Sequence, residues 1–538
     1  MTIRITNFRV PLERDTDDLR PLAAERLRLP VQEVETLQIA RKAVDARRKP
    51  QISFVYTLDV DVRAEAGVAK RLRRDKDVAL KIPRGNFALA PGTKLLAQPP
   101  VVVGMGPAGL FAALWLAKYG FKPILLERGR DVDTRMADVA AFWRGEALHP
   151  ESNVQFGEGG AGTFSDGKLT TRVNDPLMEH VLRALLDAGA PPEIAYLHKP
   201  HIGTDRLRTV VKKLREKIIA LGGQVHFQSK VTDILLTGGR IAGVEINDTA
   251  QLSCQLLLLG IGHSARDTYQ LLYDRGVAVE AKPFSIGVRI EHEQALIDYA
   301  QYGQAAGHPR LGAADYTLVY HDPETKRAAY SFCMCPGGYV VAAASEPGGV
   351  VVNGMSDFAR NSGVANSALV VAVNPADFAT GHPLGGISFQ RHWERAAFKA
   401  GGSNYCAPAQ RLEDFFRERP SAGLGQPAQA TYRPAATPAD LHRCLPDYVT
   451  KTLLAGLQNF EKKIPGFSAP DVIITGVETR TSAPVRIRRR EDFESVSTPG
   501  LYPVGEGAGY AGGITSAALD GLKAAIQIIK TYKPGNRE

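Results

Sequence analysis

Short apolar runs alternate with a segment of helical periodicity in the middle of the chain. Val101–Val103, Lys122–Leu126 and Leu256–Leu259 are short and largely apolar, which predicts buried strands. Asp205–Leu221 instead repeats apolar residues three or four positions apart, which predicts an amphipathic helix. The apolar face of this helix comprises Leu207, Val210, Val211, Leu214, Ile218 and Leu221. Strands that alternate with helices in this way predict an α/β fold with a parallel sheet.

A second group of strands follows the predicted helix and shows a different pattern. Gln224–Gln228, Val231–Leu236 and Ile241–Ile246 are separated by short turns, one of which contains Gly238 and Gly239. Short turns of this kind predict antiparallel strands. The order of a helix, a β-meander and a closing apolar strand is that of a Rossmann-type nucleotide-binding domain.

Residues 1–92 have the pattern of a separate small domain. A strand is predicted at Ile3–Val10, a helix at Asp17–Leu27, a strand at Gln51–Val62 and a helix at Glu65–Arg74. This α+β pattern predicts a ferredoxin-like sandwich.

The rest of the chain divides into three segments. Residues 93–280 carry the nucleotide-binding pattern, whereas residues 281–475 contain more proline and mixed aromatics and have no nucleotide fingerprint. Residues 476–538 return through an apolar strand and Gly505 to a predicted helix, Thr515–Lys530. The sequence therefore predicts a Rossmann-type domain that is interrupted by an inserted α+β domain.

The chemistry begins at the turn Gly104-Met105-Gly106-Pro107-Ala108-Gly109. Gly104 permits a tight turn, Gly106 lets the backbone approach a pyrophosphate, and Gly109 lets the helix pack on the strand. The N-terminus of that helix offers free N–H groups to phosphates. Glu127 follows the next strand, 23 positions after Gly104, where an acid accepts hydrogen bonds from a ribose. This unit predicts a dinucleotide site.

The composition argues against a membrane protein and against a secreted protein held together by disulfides. Leu95–Ala117 carries no charge, but its prolines and glycines argue against a membrane span. The charged N-terminus has no signal-peptide pattern, and five cysteines do not suggest a disulfide framework, so a cytoplasmic location is expected. Residues 1–84 hold 19 of the Lys/Arg and 13 of the Asp/Glu residues, which leaves a basic surface for solvent or for an acidic partner.

Four motifs together resemble one bacterial family of FAD-dependent dehydrogenases in the two-dinucleotide-fold superfamily. They are VVVGMGPAGL at 101–110, NVQFGEGGAGTFSDGKL at 153–169, FCMCPGG at 332–338 and GLYPVGEGAGYAGGITSAALDG at 500–521. The resemblance implies noncovalently bound FAD, a substrate domain inserted into the FAD-binding domain, and an N-terminal extension. The family has no firmly assigned substrate.

The fingerprint and the resemblance together predict the residues that bind FAD. In relatives an acid at the position of Glu506 binds the ribityl chain, but it is usually Asp, so the longer side chain puts that contact in doubt. The predicted cofactor-binding residues are Gly104, Gly106, Pro107, Ala108, Gly109, Glu127, Arg128, Gly159, Gly160, Thr163, Val231, Gly262, Gly505, Glu506, Gly513 and Ile514.

A second glycine motif allows two interpretations. Gly260-Ile261-Gly262-His263-Ser264-Ala265 follows a predicted strand, and Glu280 lies 20 positions after its first glycine. Considered without its neighbours, this motif would be a nicotinamide-nucleotide fingerprint. Its position after a β-meander favours the other interpretation, in which it is the short motif that contacts the flavin cofactor. Because no other nucleotide unit is evident, NAD(P)H is expected only as a transient reductant.

Four residues are candidates for the chemistry. Cys333 and Cys335 can form a strained disulfide or supply thiolates to a metal, or they are two buried thiols. Further ligands at metal spacing are absent, so no metal is expected. A disulfide between Cys333 and Cys335 would close a small, strained ring, which suggests that the thiols stay reduced and are not a required redox pair. Arg480 binds a substrate carboxylate or a structural acid. Lys168 lies near the flavin or is solvated.

Two functions remain at this point. The first is an FAD-dependent oxidoreductase that exchanges hydride or electrons with a small molecule and an electron donor or acceptor. The second is a flavoprotein that acts on RNA through its basic N-terminal domain. RNA binding needs basic residues clustered on one face with stacking aromatics, so nucleic acid is not the expected partner.

Overall fold

The N-terminal segment forms a four-stranded antiparallel sheet with one described helix. The structure is a computed structural model, which describes residues 2–49, 51–63, 68, 75–81, 87–425 and 430–535. The elements of this segment are β1 (Thr2–Pro11), α1 (Arg20–Leu27), β2 (Val34–Asp45), β3 (Ser53–Val62) and β4 (Val78–Leu80). The strand order is β2-β3-β1-β4.

The sequence missed two strands of this sheet, β2 and the short edge strand β4. β2 is an edge strand with mostly exposed or half-buried residues, so its sequence lacks the apolar alternation that marks β1 and β3. The predicted first strand, helix and second strand coincide with β1, α1 and β3. The predicted helix Glu65–Arg74 lies outside the described residues, apart from Val68.

The nucleotide-binding segment comes next. Its elements are β5 (Lys94–Leu96), β6 (Val101–Val103), α2 (Pro107–Lys118), β7 (Ile124–Leu126), α3 (Val132–Trp143), α4 (Met178–Asp187), α5 (Thr204–Ala220), β8 (Gln224–His226), β9 (Val231–Thr237), β10 (Arg240–Ile246), β11 (Ala250–Ser253), β12 (Leu257–Leu259) and α6 (Arg266–Asp274).

The inserted segment is richer in strands. Its elements are β13 (Val279–Ala281), β14 (Phe284–Glu293), α7 (Gln294–Tyr302), β15 (Val319–His321), β16 (Ala328–Cys335), β17 (Gly338–Ala342), β18 (Val352–Ser356), β19 (Val364–Val373), α8 (Gly385–Ala400), β20 (Ala407–Arg411), α9 (Leu412–Phe416), β21 (Ala436–Pro438), α10 (Asp447–Lys463) and β22 (Ile473–Glu478). The chain then returns through β23 (Val485–Ile487), β24 (Leu501–Pro503), α11 (Ile514–Thr531) and β25 (Tyr532–Pro534).

A five-stranded parallel sheet joins the nucleotide-binding segment to the returning chain. The strand order is β24-β12-β6-β7-β8, and neighbouring strands in this order are parallel. The three central strands consist of apolar residues and are almost completely buried, as expected for a sheet covered on both faces. The predicted mixed α/β fold class is confirmed.

One predicted strand has a different partner from the one expected. The segment Gln224–Gln228 was expected to join an antiparallel meander, but β8 pairs in parallel with β7 at the edge of the central sheet. The meander consists of β9, β10 and β11. Short turns predict antiparallel pairing only between neighbours in sequence, and the parallel partner of β8 lies far along the chain.

The inserted segment is built around a seven-stranded sheet with the order β15-β16-β19-β14-β22-β20-β21. Its central strand β14 pairs with β19 over ten residue pairs, from Phe284↔Val373 to Glu293↔Val364. β22 runs past the predicted boundary at residue 475, and the exact domain limits remain a prediction. β13 and β23, at the entry and exit of the insert, pair with each other.

Close packing of α2 on α11 generates a first prediction, because a methyl group at Gly521 would overlap the Ala108 carbonyl. Alanine normally stabilises a helix interior relative to glycine. We expect Gly521→Ala instead to lower the free energy of unfolding by about 1–3 kcal/mol, measured by denaturant unfolding. The control is Gly381→Ala, where the added methyl group meets open space. Equal stability of the two variants would contradict close packing.

Candidate functional site

Three neighbouring parallel strands end at the same edge of the central sheet, and a glycine follows each of them. Gly104 follows β6, Gly260 follows β12 and Gly505 lies just beyond β24. A cavity of about 730 Å³ opens at this edge. The predicted site residues that line the cavity are Gly104, Gly106, Pro107, Ala108, Glu127, Arg128, Gly160, Lys168, Val231, Gly262, Arg480, Glu506, Gly513 and Ile514.

The glycine turn presents backbone to the cavity. Gly104 has a φ of +91°, which an L side chain rarely adopts. A side chain at Gly106 would project into the cavity, where its nearest neighbour is the Gly160 Cα at 4.0 Å. α2 begins at Pro107 with Gly106 as its N-cap, so the positive end of the helix faces this space.

Glu127 organises the loops around that turn. Its Oε2 accepts a hydrogen bond from the Met105 N–H at 2.8 Å, and its Oε1 accepts from Gly129 at 2.9 Å and Gly157 at 3.0 Å. The side chain was predicted to bind a ribose, and it does line the cavity. Because three backbone amides already occupy the carboxylate, this acid also fixes the positions of three loops.

A buried arginine that the sequence did not reveal shapes the second glycine loop. The guanidinium of Arg135 is fully buried and donates hydrogen bonds to backbone carbonyls across residues 153–160. The acceptors are the carbonyl oxygens of Asn153, Val154, Gly157, Glu158 and Gly160. Burial lowers the pKa of Arg135 to about 10. The loop is therefore held in one conformation beside Gly106.

Arg128 lies at the opposite side of the turn, between two carboxylates. It donates to Glu151 and to Asp267, and its guanidinium lies 4.0 Å from the centre of the Phe156 ring. These ion pairs hold the pKa of Arg128 above its usual range despite burial. The residue lines the cavity through a fixed, stacked side chain.

Five predicted residues lie behind the cavity wall. Gly109 serves packing, as expected, because a side chain there would overlap the Gly104 carbonyl. Gly159 donates to the Met105 carbonyl at 2.9 Å, and Thr163 Oγ1 bonds the Glu158 carbonyl at 3.4 Å. The Gly505 N–H donates to Asp520 at 2.7 Å. Cys335 is the fifth predicted residue that does not line the cavity. These residues support the loops and do not face the cavity.

The far wall of the cavity comes from the inserted segment. Phe284, Tyr330, Phe332 and Cys333 line it from β14 and β16, and Glu478 lines it from the end of β22. Apart from Cys333, the sequence analysis did not select these residues. The sequence did contain a signal for Glu478, because a carboxylate at the end of an apolar, buried strand needs a partner for its charge.

Glu478 pairs with Arg289, a second fully buried arginine. Arg289 Nε and Nη2 donate to the two carboxylate oxygens of Glu478. The remaining donors bond the Asn353 and Asn366 side chains and the Cys333 carbonyl. All five N–H donors of this guanidinium are therefore used.

Arg480 is held by an acid of the protein. Four of its N–H donors bond Glu394, Ser264 and Ser345. The same Glu394 accepts from Arg266, which keeps the pKa of this carboxyl well below its usual range. Of the two roles weighed for Arg480, the structure favours the structural ion pair, although the side chain lines the cavity.

Lys168 is another cation of the cavity wall. Its Nζ lies 2.8 Å from Asp166 Oδ2 and donates to the Met334 carbonyl. Asp166 also receives two hydrogen bonds from Arg360. The ammonium group is thus anchored beside the backbone that carries Cys333.

The residues at the edge of the sheet fit FAD. Two helix N-termini, at Gly106-Pro107 and at Gly513-Ile514, face one cavity and provide positive ends for phosphate and for a negatively charged ring. Gly513 has a φ of +133°, and a side chain there would meet open space. A carboxylate at Glu127 and a buried strand at Val231 flank the glycine turn.

Two other kinds of site have no candidate among the residues described. They contain no group of three or more His, Cys, Asp or Glu residues that could hold a metal ion. Within the same residues, no helix has both the length and the apolar character needed to cross a membrane.

The Arg135 contacts generate a second prediction. Arg135→Lys leaves several buried carbonyls without donors, each at a cost of about 1–3 kcal/mol, so the loop should lose its shape. We expect less FAD retained after gel filtration and a lower unfolding temperature. Arg144→Lys, at an exposed ion pair that follows the same helix, is the control. Full FAD retention in Arg135→Lys would show that the loop does not depend on this side chain.

Glu506 generates a third prediction. Burial raises its pKa to about 7, against the opposing charge of Lys282. The folded state therefore binds a proton that the unfolded state has lost above about pH 4.3. The contribution of Glu506 to the free energy of unfolding is greatest below that pH and declines as the pH rises to about 7.

The measurement compares the wild-type protein with Glu506→Gln by denaturant unfolding from pH 5 to pH 8, at matched FAD content. We expect the stability of the wild type relative to the variant to fall as the pH rises. Glu146→Gln, at an exposed position, is the control for the loss of one carboxylate. A difference between wild type and Glu506→Gln that does not change with pH would refute the raised pKa.

Comparison with solved structures gives remote matches. One match is the crystal structure of CtdE in complex with FAD, with 14% identity and a TM-score of 0.33, covering 80% of this chain and 84% of that chain. A second is a geranylgeranyl bacteriochlorophyll reductase-like protein from Thermoplasma acidophilum, with 15% identity and a TM-score of 0.34, covering 81% and 79%.

Comparison with protein families and with curated sequences is more specific. A family model described as FAD-dependent protein, C-terminal domain-like, matches residues 283–481. A domain of unknown function (DUF8436) matches residues 2–61. Neither description refers to RNA. An uncharacterised protein of Clostridium beijerinckii is 50% identical over 532 residues, which cover 99% of each chain. The chain therefore belongs to one family with this Clostridium beijerinckii protein, and its residues 283–481 belong to a family of FAD-dependent proteins.

Proposed function

We propose that the protein transfers hydride or electrons between noncovalently bound FAD and a small molecule that binds in the same cavity. The observation that carries this proposal is the composition of the cavity wall. One side contains the glycine turn at Gly104–Gly109, and the other contains Phe284, Tyr330 and Phe332 of the inserted sheet. Ligand sites favour such junctions between folding units, because both surfaces contribute walls.

We propose separate roles for the segments of the chain. Residues 93–280 and 476–538 form the FAD-binding domain, and residues 281–475 form the substrate domain. β13 and β23 pair at the junction, so the chain enters and leaves the insert beside the cavity. The aromatic side chains of the insert favour a substrate with an apolar portion, and Ser285 and Tyr330, which hydrogen-bond each other, add polar contacts.

FAD supplies the redox-active ring, and the residues around it would bind and tune it. The N-terminus of α11 at Gly513 favours negative charge on a reduced flavin. Glu127 and Arg135 hold the loops that would bind the phosphates. Glu506, with a pKa raised to about 7 by burial, can hold or release a proton near neutral pH at the cavity wall.

The second glycine motif supports the flavin-side interpretation. Gly260, Gly262 and His263 line the same cavity as the first fingerprint, and β12 lies next to β6. A nicotinamide nucleotide would therefore act as a transient reductant and not as a resident cofactor. The five cysteines are free thiols, which supports a location in the cytoplasm.

A fourth prediction tests FAD binding. Acid precipitation of the purified protein should release a yellow compound with the mass of FAD. Gly106→Glu should abolish binding, because its side chain fills the open space in front of the turn and adds negative charge. Gly381→Glu, on an open loop, should bind normally. Protein that stays colourless after FAD is added would refute the proposal.

The same preparation tests the electron transfer. The flavin absorbance is followed anaerobically with NADH, with NADPH and with a panel of small metabolites. We expect bleaching by one of these donors and reoxidation by an acceptor. Bound flavin that dithionite bleaches, but that none of these donors reduces, would contradict exchange with small molecules.

A further inference from the structure

The pair Cys333 and Cys335 occupies an irregular end of β16. Phe332 pairs with Ala368 of β19, whereas Cys335 pairs with Asn366, so one additional residue of β16 is accommodated between them. Cys333 has a φ of +45°, in the left-handed region that favours glycine. Bulges of this kind redirect a side chain beside a functional site. Here the bulge brings Cys333 to the cavity wall.

Arg289 holds this bulge in place. Its Nη1 donates to the Cys333 carbonyl at 3.0 Å and to Asn366 Oδ1 at 3.0 Å. Asn366 is the residue of β19 that pairs with Cys335. A fully buried guanidinium therefore fixes both sides of the irregular pairing and places a permanent positive charge near the two sulfurs.

The charges around Cys333 favour a thiolate. The facing groups are the cations Lys168 and Arg289, the acids Asp166, Glu478 and Glu506, and the Cys335 thiol. The neighbouring Cys335 thiol, with Lys168 and Arg289, lowers the pKa of Cys333 against the effect of burial. Interaction with Cys333, together with burial, raises the pKa of Cys335. One sulfur is thus poised as a nucleophile and the other as a proton-bearing thiol.

We propose that Cys333 and Cys335 are a catalytic thiol pair that reduces a small disulfide with electrons from FAD. This inference rests on the proposed function and names its substrate class. Cys333 is the attacking residue because it lines the cavity, whereas Cys335 lies behind it. Cys335 is the resolving residue because it lies two positions from Cys333 on the same bulge, where its thiol donates a hydrogen bond to the Cys333 carbonyl at 3.3 Å.

The reaction balances in three steps. The Cys333 thiolate attacks one sulfur of the substrate, forms a mixed disulfide and releases the other half as a thiolate. Cys335 then attacks the Cys333 sulfur, its proton passes to the departing sulfur, and a Cys333–Cys335 disulfide remains. Two electrons and two protons, with reduced FAD as the electron source, restore both thiols.

Ring strain, which suggested an inert pair in the sequence, fits this role. A strained disulfide has a high reduction potential, so reduced flavin reopens it readily. The pair then stays reduced at rest, and the reduced form is the one that attacks a substrate. The structure adds the polarised charges and the exposure to the cavity that the sequence could not show.

The first test measures the thiols without turnover. The FAD-loaded protein is treated with iodoacetamide between pH 5 and pH 9, and each cysteine is quantified by peptide mass spectrometry. Cys333 should react with a midpoint at least about one pH unit below the ordinary thiol value of about 8.5. Half-buried Cys406 is the internal comparison. A midpoint for Cys333 no lower than that of Cys406 would overturn the thiolate assignment.

The second test traps the intermediate with 2-hydroxyethyl disulfide as the probe. Cys335→Ser retains a hydrogen-bond donor but has no thiol for resolution. We expect a mercaptoethanol adduct on Cys333 in this variant, and no stable adduct in the wild type or in Cys406→Ser. An unmodified Cys333 in Cys335→Ser would overturn the proposal, whatever the flavin does.

The third test links the pair to FAD. Photoreduced wild-type protein should be reoxidised by the same probe under anaerobic conditions, and Cys333→Ser should lose this reoxidation while it keeps normal flavin content and normal photoreduction. Reoxidation of Cys333→Ser at the wild-type rate would overturn the role of the pair. Loss of flavin binding in the wild type would instead refute the proposed function, and the trapping test would still decide the thiol chemistry.

Discussion

The site depends on the fact that neighbouring parallel strands end at one edge of their sheet. β6, β12 and β24 pair side by side, and the chain leaves each of them toward the same cavity. Backbone amides and two helix N-termini therefore converge at this edge. Because the sheet is covered on both faces, this edge is the place where the strand ends can meet a ligand.

Two buried arginines convert that edge into a shaped pocket. Arg135 gathers the carbonyls of the glycine loop on the cofactor side, and Arg289 holds the bulge of β16 on the opposite side. Neither guanidinium projects into solvent. A planar group with five donors suits this task, since it can satisfy several carbonyls that would otherwise be buried without partners.

The sequence predicted the nucleotide-binding half better than the inserted half. The glycine turn, the helix that follows it and the return of the chain at Gly505 could be predicted because the spacing of their glycines and apolar residues is local in the sequence. Arg135 and Arg289 could not be recognised, because their partners lie in loops and strands whose positions only the tertiary fold defines. β2 was missed because an edge strand has little apolar alternation, and β8 was assigned the wrong partner because parallel pairing joins segments that are distant in sequence.

The interrupted sheet also affects how the protein is made. β6 and its glycine turn are synthesised early, but β24 and the N-terminus of α11 follow only after the whole insert. A nascent chain therefore carries half of a cofactor site through most of translation, with the apolar strand β12 lacking one neighbour. The cofactor site is therefore complete only near the end of synthesis, and FAD that binds the closed sheet would favour folding of the finished chain over its aggregation.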